Sequence, residues 1–191
     1  MIDESLVRAS DSVLLVVDAQ PGFLTRLDPS VAESLVDRIG WLARVATRLG
    51  IPILATEEET GHNGPTDPTI VAALASGSSP YRKEIFGLAD QADIMSAVDA
   101  TGRRTAVLVG LETDVCVAHS ALGLVDRGYR VVVVADATGS PGDAHAAGLD
   151  RMVRSGVLVI STKGLYYEWI RTVEKAHEIE VAVPPPLDLR L

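Results

Sequence analysis

The sequence contains one cysteine, Cys116, among 191 residues. A single thiol cannot form an internal disulfide, so its presence fits a reducing compartment, and we expect a cytoplasmic protein. A lone cysteine in such a chain is either a small apolar packing residue or a reactive thiol. The first question about this chain is therefore whether Cys116 is structural or catalytic.

Long apolar runs and concentrations of positive charge are missing as well. The most apolar stretch, residues 131–135, ends at Asp136 and is far shorter than the roughly 20 residues that span a bilayer. Residues 1–11 show no basic head followed by an apolar block, so we expect no secretion signal. Seventeen basic residues are scattered among 26 acidic ones, for a net charge of −9. Membranes and nucleic acids are therefore not expected as partners.

The remaining composition is that of a globular protein, with 47% hydrophobic and 23% charged residues. A chain of this length is expected to form one domain over residues 1–191. The run of three prolines at 184–186 favours extended backbone, so we predict a tail over residues 178–191.

Short β-branched runs alternate with segments of helical periodicity, the pattern of βα units on a parallel sheet. The predicted strands are residues 13–17, 51–56, 81–85, 105–109, 131–134 and 157–160. Strands with continuous apolar runs are expected to be covered on both faces. The sequence therefore predicts an α/β fold with three layers: a doubly wound, six-stranded, mostly parallel sheet with helices on both faces.

Three reactive side chains follow predicted strands. Asp18 comes after the first, Lys83 lies on or just after the third, and Cys116 begins the helix after the fourth. Ligands bind beyond the carboxyl ends of such strands, so these side chains could meet there. Taken singly, each has an ordinary alternative: a turn-capping aspartate, a solvated lysine and a buried small hydrophobe.

The position of Cys116 favours chemistry. With Thr113 as N-cap, Cys116 would be the third helical residue, where free backbone N–H groups and the helix dipole stabilise a thiolate. A nearby lysine would lower the thiol pKa further. A carboxylate could accept the thiol proton and return it to a leaving amine. Together these residues predict an acyl-transfer site.

At the same residues the chain resembles the isochorismatase-like cysteine hydrolase superfamily, relatives of nicotinamidases and N-carbamoylsarcosine amidohydrolase. The similar blocks are LLVVDAQPGF at 14–23, KEIFG at 83–87, GLETDVCV at 110–117 and VVVADAT at 132–138. The resemblance implies that Cys116 attacks, Asp18 is the general base and acid, and Lys83 stabilises the thiolate. It also implies a cis peptide between Leu111 and Glu112, with the N–H groups of Glu112 and Cys116 forming an oxyanion hole.

The chain also departs from these relatives. Metal-dependent nicotinamidases carry an Asp-x-His pair after the second strand, where this chain has Thr56 followed by three glutamates. We therefore predict neither a metal nor another cofactor. A metal site at Glu57, Glu59 and His62 is the alternative to a solvated acidic loop.

Aromatic residues are scarce, at 4%, which gives the few present more weight. Phe23 and Phe86 flank the expected site and are candidate substrate-binding residues, although either could belong to the core. Tyr166, Tyr167 and Trp169 cluster near the end of the chain and suggest a subunit interface. We expect a homo-oligomer, most simply a dimer.

The leading hypothesis is hydrolysis of a C–N bond in a small amide or carbamoyl substrate through a thioester. A vinyl ether hydrolase of the isochorismatase type, which needs the aspartate but no nucleophile, is an alternative. So is a catalytically silent binding or assembly homologue. A nucleotide-binding domain is disfavoured because residues 18–22 lack the G-x-G-x-x-G turn.

Overall fold

The computed structural model describes residues 5–74 and 79–191. Its centre is one sheet of six parallel strands in the order β3-β2-β1-β4-β5-β6. The strands are β1 Ser12–Val17, β2 Ile53–Glu58, β3 Tyr81–Lys83, β4 Thr105–Leu111, β5 Arg130–Gly139 and β6 Leu158–Ile160. Each strand is followed by at least one helix, as parallel connections require.

The helices cover both faces of the sheet. Their bounds are α1 Pro21–Leu24, α2 Pro29–Arg48, α3 Thr60–Asn63, α4 Pro68–Val71, α5 Ala92–Ala100, α6 Ala118–Asp126, α7 Ala144–Arg154, α8 Thr162–Ile170 and α9 Val173–Ala182. Short 3-10 turns span Ala9–Asp11 and Leu88–Asp90, and a π-helical turn spans Thr113–Val117.

Alternate residues of β1 belong to two different cores. Leu14 and Val16 pack with α2 and α8 on one face, whereas Val13, Leu15 and Val17 pack with α5 and α6 on the other. This division follows from the two-residue period of a strand, and it explains why all six residues of β1 are buried. The predicted three-layer α/β fold is confirmed.

The second strand ends two residues later than the sequence predicts. β2 runs to Glu58, and its last two residues align with Arg82 and Lys83 of β3. The predicted exposed loop from Glu57 onward therefore begins later. Glutamates of β2 lie beside basic residues of β3 at this edge. This pairing of opposite charges accounts for strand formation by residues of low strand propensity.

The chain terminus differs from the prediction of a tail over residues 178–191. Helix α9 continues to Ala182 and is capped by Thr172, whose hydroxyl accepts the N–H of Lys175 at 3.2 Å. The residues that follow fold back: the indole of Trp41 donates to the carbonyl of Val183 at 3.0 Å. Residues 178–182 are therefore helical rather than extended, because the first proline of the run, Pro184, comes only after the helix has ended.

The aromatic cluster is also placed differently from the expectation. Tyr166 and Trp169 are buried in the chain's own core, and only Tyr167, at 42% exposure, reaches the surface. Tyr166 packs on Trp41, with their ring centroids 5.1 Å apart. The cluster therefore attaches α8 to the sheet and gives no support for a subunit interface.

Gly110, near the end of β4, brings two strands unusually close. Its φ is +119°, and a Cβ there would lie 1.9 Å from the carbonyl oxygen of Val17. Only glycine fits this position. In the part of the chain that the structure describes, no helix combines the length and apolarity needed to cross a membrane.

Candidate active site

The three predicted catalytic residues meet at the carboxyl ends of β1, β3 and β4. Asp18 directly follows β1, Lys83 is the last residue of β3, and Cys116 lies in the π-helical turn after β4. The reactive atoms of Asp18 and Cys116, together with those of Glu58, lie within 4.8 Å of one another. This is the edge of a parallel sheet where ligands bind.

Asp18 is fully buried, and both oxygens of its carboxylate have close neighbours. The hydroxyl of Thr56 donates to Oδ1 at 2.7 Å, and Nζ of Lys83 lies 2.9 Å from Oδ2. The backbone of Asp18 is left-handed, with φ of 45°, a conformation that aspartate tolerates better than most residues. Thr56 acts as a positioning residue that the sequence prediction did not single out.

Lys83 is held by oxygens on several sides. In addition to Asp18, Nζ donates to the carbonyls of Ile85 at 2.8 Å and Phe86 at 2.9 Å, and it lies 3.3 Å from Oε2 of Glu58. Its side chain has no solvent exposure. These acceptors hold the buried ammonium in one position and replace the water that would otherwise solvate its charge.

Cys116 is 2% exposed, and its thiol donates to Oε2 of Glu58 at 3.0 Å. The thiol therefore has two carboxylates and one ammonium as neighbours. The predicted cap also differs: the N-cap of the turn is Glu112 rather than Thr113. Cys116 consequently sits deeper in a π-helical turn that runs directly into α6.

Burial dominates the acid–base properties of the site. It raises the pKa of Asp18 although Lys83 and Thr56 oppose the shift. Burial alone would lower the pKa of Lys83, but Asp18, Cys116 and Glu58 outweigh it and raise the value. Burial, followed by the charge of Asp18, raises the pKa of the Cys116 thiol well above its usual range despite Lys83. The expected lowering of the thiol pKa is therefore wrong, because the prediction included the cation but not the burial and the second carboxylate.

Glu58 is a second site residue that the sequence prediction missed. Residues two apart in a strand point to the same side, so the extension of β2 puts Glu58 on the side of Thr56, facing Asp18. The signal was present in the sequence as a polar residue two positions after Thr56. It was obscured because three successive glutamates are typical of a solvated loop.

Asp18, Glu58 and Cys116 form a group with the donor types that can hold a metal ion. The Lys83 ammonium, however, already lies within 3.3 Å of both carboxylates, and a second cation beside it would be repelled. The alternative at Glu57, Glu59 and His62 does not come together in the same way. Glu57 accepts the N–H of Thr66 at 2.7 Å, and Glu59 and His62 are exposed.

A cavity of about 530 Å³ leads to Lys83 and Glu58. Phe86 lines it with 54% of its surface exposed. Phe23 does not line this cavity; it is 5% exposed and packs in the core, with the guanidinium of Arg26 5.0 Å from its ring centre. A larger cavity, about 650 Å³, lies beside α2 and contains none of the three predicted catalytic residues.

The segment before the nucleophile is buried at Leu111 and partly exposed at Glu112. The peptide bond that joins these two residues is cis. The carboxylate of Glu112 pairs with Arg26 at 3.1 Å, and its carbonyl accepts the N–H groups of Val115 and Val117. Glu112 thus anchors both ends of the turn that carries Cys116.

Comparison with known families gives a match across most of the chain. A family model described as "Isochorismatase domain" matches residues 12–164. The probable hydrolase YcaC of Escherichia coli is 31% identical over 172 residues, which cover 86% of this chain and 82% of that protein.

Solved structures give the same result for the fold. YcaC from Pseudomonas aeruginosa, solved with hexane-2,5-diol and covalent acrylamide, has a TM-score of 0.84 at 26% identity, covering 96% of this chain and 94% of that one. E. coli YcaC, described as an octameric hydrolase of unknown specificity, has a TM-score of 0.84 at 24% identity, covering 96% and 93%. An N-carbamoylsarcosine amidase from Thermoplasma acidophilum has a TM-score of 0.69 at 23% identity, covering 80% and 96%.

Proposed function

Because the chain belongs to the isochorismatase family of hydrolases, we propose that it cleaves a carbon–nitrogen bond of a small amide or carbamoyl compound. Cys116 is the nucleophile, Asp18 the general base and acid, and Lys83 the fixed cation. One observation carries the proposal: a thiol, a buried carboxylate and a buried ammonium meet next to Glu58, which lines a cavity together with Lys83. These are the parts required for covalent acyl transfer.

The reaction begins with a neutral thiol, because its pKa is raised. Asp18 accepts the thiol proton as Sγ attacks the substrate carbonyl carbon, which forms a tetrahedral oxyanion. Asp18 is suited to this exchange because burial raises its pKa and so makes its carboxylate a stronger base. We assign the oxyanion hole to the backbone N–H groups of Glu112 and Cys116.

Collapse of the tetrahedral species breaks the carbon–nitrogen bond. Asp18 returns its proton to the departing amine, and a thioester to Cys116 remains. Water then attacks the thioester with Asp18 as base, which releases the acid product and restores the thiol. Lys83 stays charged throughout and offsets the negative charge that passes between Asp18 and Cys116.

The Pseudomonas aeruginosa relative supports a reactive nucleophile in this family, since it was solved with covalent acrylamide. Acrylamide is an electrophile that adds readily to thiols, and it is also a primary amide. The amidase relative from Thermoplasma acidophilum supports carbon–nitrogen cleavage as the class of reaction.

A parallel screen of primary amides, carbamoyl compounds and isochorismate tests the proposal, with ammonia and pyruvate measured together. We expect ammonia without pyruvate, and a thioester adduct on Cys116 in the intact mass of the protein during turnover. Cys116→Ala and Cys116→Ser should fold normally and lose turnover by about a thousandfold or more. Pyruvate from isochorismate, retained in Cys116→Ala, would support the vinyl ether alternative instead.

We also propose a homo-oligomer. The support is the octamer described for E. coli YcaC, whose sequence aligns with this chain over 172 residues at 31% identity. Sedimentation at micromolar concentration should give a mass several times that of one chain. A single species with the mass of one chain would contradict it.

A further inference from the structure

The cavity lined by Glu58 and Lys83 is strongly acidic. Four glutamates line it, at positions 57, 58, 59 and 84, against one arginine and one lysine. The charge of Lys83 is already engaged by Asp18 at 2.9 Å. Arg82 is exposed and forms no ion pair with these glutamates within residues 5–74 and 79–191. An entering molecule therefore meets an excess of negative charge.

Glu58 stands between this cavity and the thiol. Its side chain is 16% exposed and lines the cavity. Cys116 is 2% exposed, does not line the cavity, and donates its thiol to Oε2 of Glu58 at 3.0 Å. A substrate that reaches Sγ from the cavity must contact the Glu58 carboxylate and move it. A substrate group that binds a carboxylate favourably will displace Glu58 at the lowest cost in free energy.

Phe86 lines the same cavity with an exposed aromatic ring. An aromatic ring and a carboxylate that line one cavity are a favourable combination for a positively charged group, which can interact with both. The same lining repels carboxylates. Isochorismate, a dicarboxylate, is a poor fit for it.

We propose that the substrate carries an ammonium or guanidinium group, which binds between Glu58 and Phe86 and draws the Glu58 carboxylate away from the Cys116 thiol. The inference rests on the proposed function and specifies the class of its substrate. Binding then removes one of the two carboxylates beside the thiol, so the nucleophile becomes available when a cationic substrate is present.

Charged methanethiosulfonate reagents of matched size test this without a known substrate. The trimethylammonium-ethyl reagent is cationic and the sulfonatoethyl reagent is anionic; both convert a thiolate to a mixed disulfide and release methanesulfinate. Cys116 is the only cysteine, so the intact mass reports its modification directly. The second-order rate constant of each reagent with the protein is divided by its rate constant with 2-mercaptoethanol, which corrects for the different intrinsic reactivities of the reagents.

We expect the cation to react at least about tenfold faster than the anion, and added salt to reduce this preference. Glu58→Gln should reduce the preference about fivefold or more, because the carboxylate nearest the thiol is removed. Glu84→Gln is the matched control: it removes an equal charge from an exposed cavity residue and should change the preference less than twofold. The ratio of the two rate constants in the wild-type protein, and its dependence on salt, test the inference even if a variant fails to fold.

Equal rates for the two reagents, or a preference for the anion, would overturn the inference while leaving Cys116 a reactive nucleophile. So would equal effects of the two substitutions. If neither charged reagent nor neutral methyl methanethiosulfonate modifies the folded protein, the inference and the proposed function fail together.

Discussion

The two ends of β1 are both buried, but their polar groups are arranged in different ways. At the first residue, the Ser12 hydroxyl accepts the indole N–H of Trp169 at 3.1 Å and donates to the carbonyl of Arg8 at 2.7 Å. At the other end, Asp18 faces Lys83 at 2.9 Å. Neutral groups are paired at one end, and full charges are packed together at the other.

Because of this difference, we expect one end of β1 to contribute mainly to folding stability and the other mainly to reactivity. Neutral buried hydrogen bonds each contribute about 1 kcal/mol to folding. A buried ion pair contributes little or nothing net, because desolvation of both charges offsets their attraction. Charges kept in this way perturb one another's pKa values, which is typical of functional sites. We therefore expect substitutions at the two ends of β1 to affect different measurements.

The largest effect is expected from Lys83→Met, which leaves the Asp18 carboxylate buried without its cation. The free energy of unfolding should fall by about 3–5 kcal/mol, and turnover should be lost. The double variant Asp18→Asn/Lys83→Met removes both charges and should recover most of the stability while remaining inactive. Urea unfolding measures both; a single variant as stable as the wild type would remove the distinction between the two ends.

The next effect is on the pH dependence of Cys116 alkylation by iodoacetamide. Burial, the charge of Asp18 and the contact with Glu58 raise the thiol pKa, so the thiol is protonated at neutral pH. The rate should therefore rise about tenfold per pH unit from about pH 7 to pH 9 without levelling off. Glu58→Gln should shift this rise to lower pH. A plateau below about pH 8 would instead indicate a resident thiolate.

A smaller effect is expected at the other end of β1. Trp169→Phe removes the hydrogen bond to Ser12, with the ring largely retained, and should cost about 1–2 kcal/mol of unfolding free energy. The alkylation rate of Cys116 should not change. Tyr167→Phe, on the same helix but 42% exposed, is the matched control and should alter stability by less than about 0.5 kcal/mol. A change in alkylation with Trp169→Phe would show that the two ends are coupled.

The smallest effect is expected from chelation. Lys83 already serves as the cation beside Asp18 and Glu58, so turnover should be unchanged after EDTA treatment and dialysis. Loss of activity that returns with zinc or iron would place a metal on Asp18, Glu58 and Cys116, and the interpretation of Lys83 would need revision.

The sequence indicated the fold better than it indicated the chemistry of the site. β1 could be predicted because its continuous apolar run is typical of a strand buried on both faces. The meeting of Asp18, Lys83 and Cys116 followed from the position of strand ends. These predictions depend on periodicity, which a sequence shows directly.

Other features depend on contacts that periodicity does not show. The position of Glu58 depends on where β2 ends, and the raised pKa of Cys116 depends on how deeply the turn is buried. The sequence suggested an interface at Tyr166 and Trp169 because their actual partners, Trp41 and Ser12, lie far away in the chain. Aromatic clustering in the sequence does not specify which surface the rings will cover.

Gly110 has a consequence for the evolution of new specificities in this scaffold. A side chain there would collide with the backbone of β1 one residue before Asp18, while the same strand leads to Leu111 and the turn that carries Cys116. A substitution would therefore disturb the base and the nucleophile together. Directed evolution can accordingly diversify the cavity rim at Glu84 and Phe86, but libraries should keep position 110 fixed.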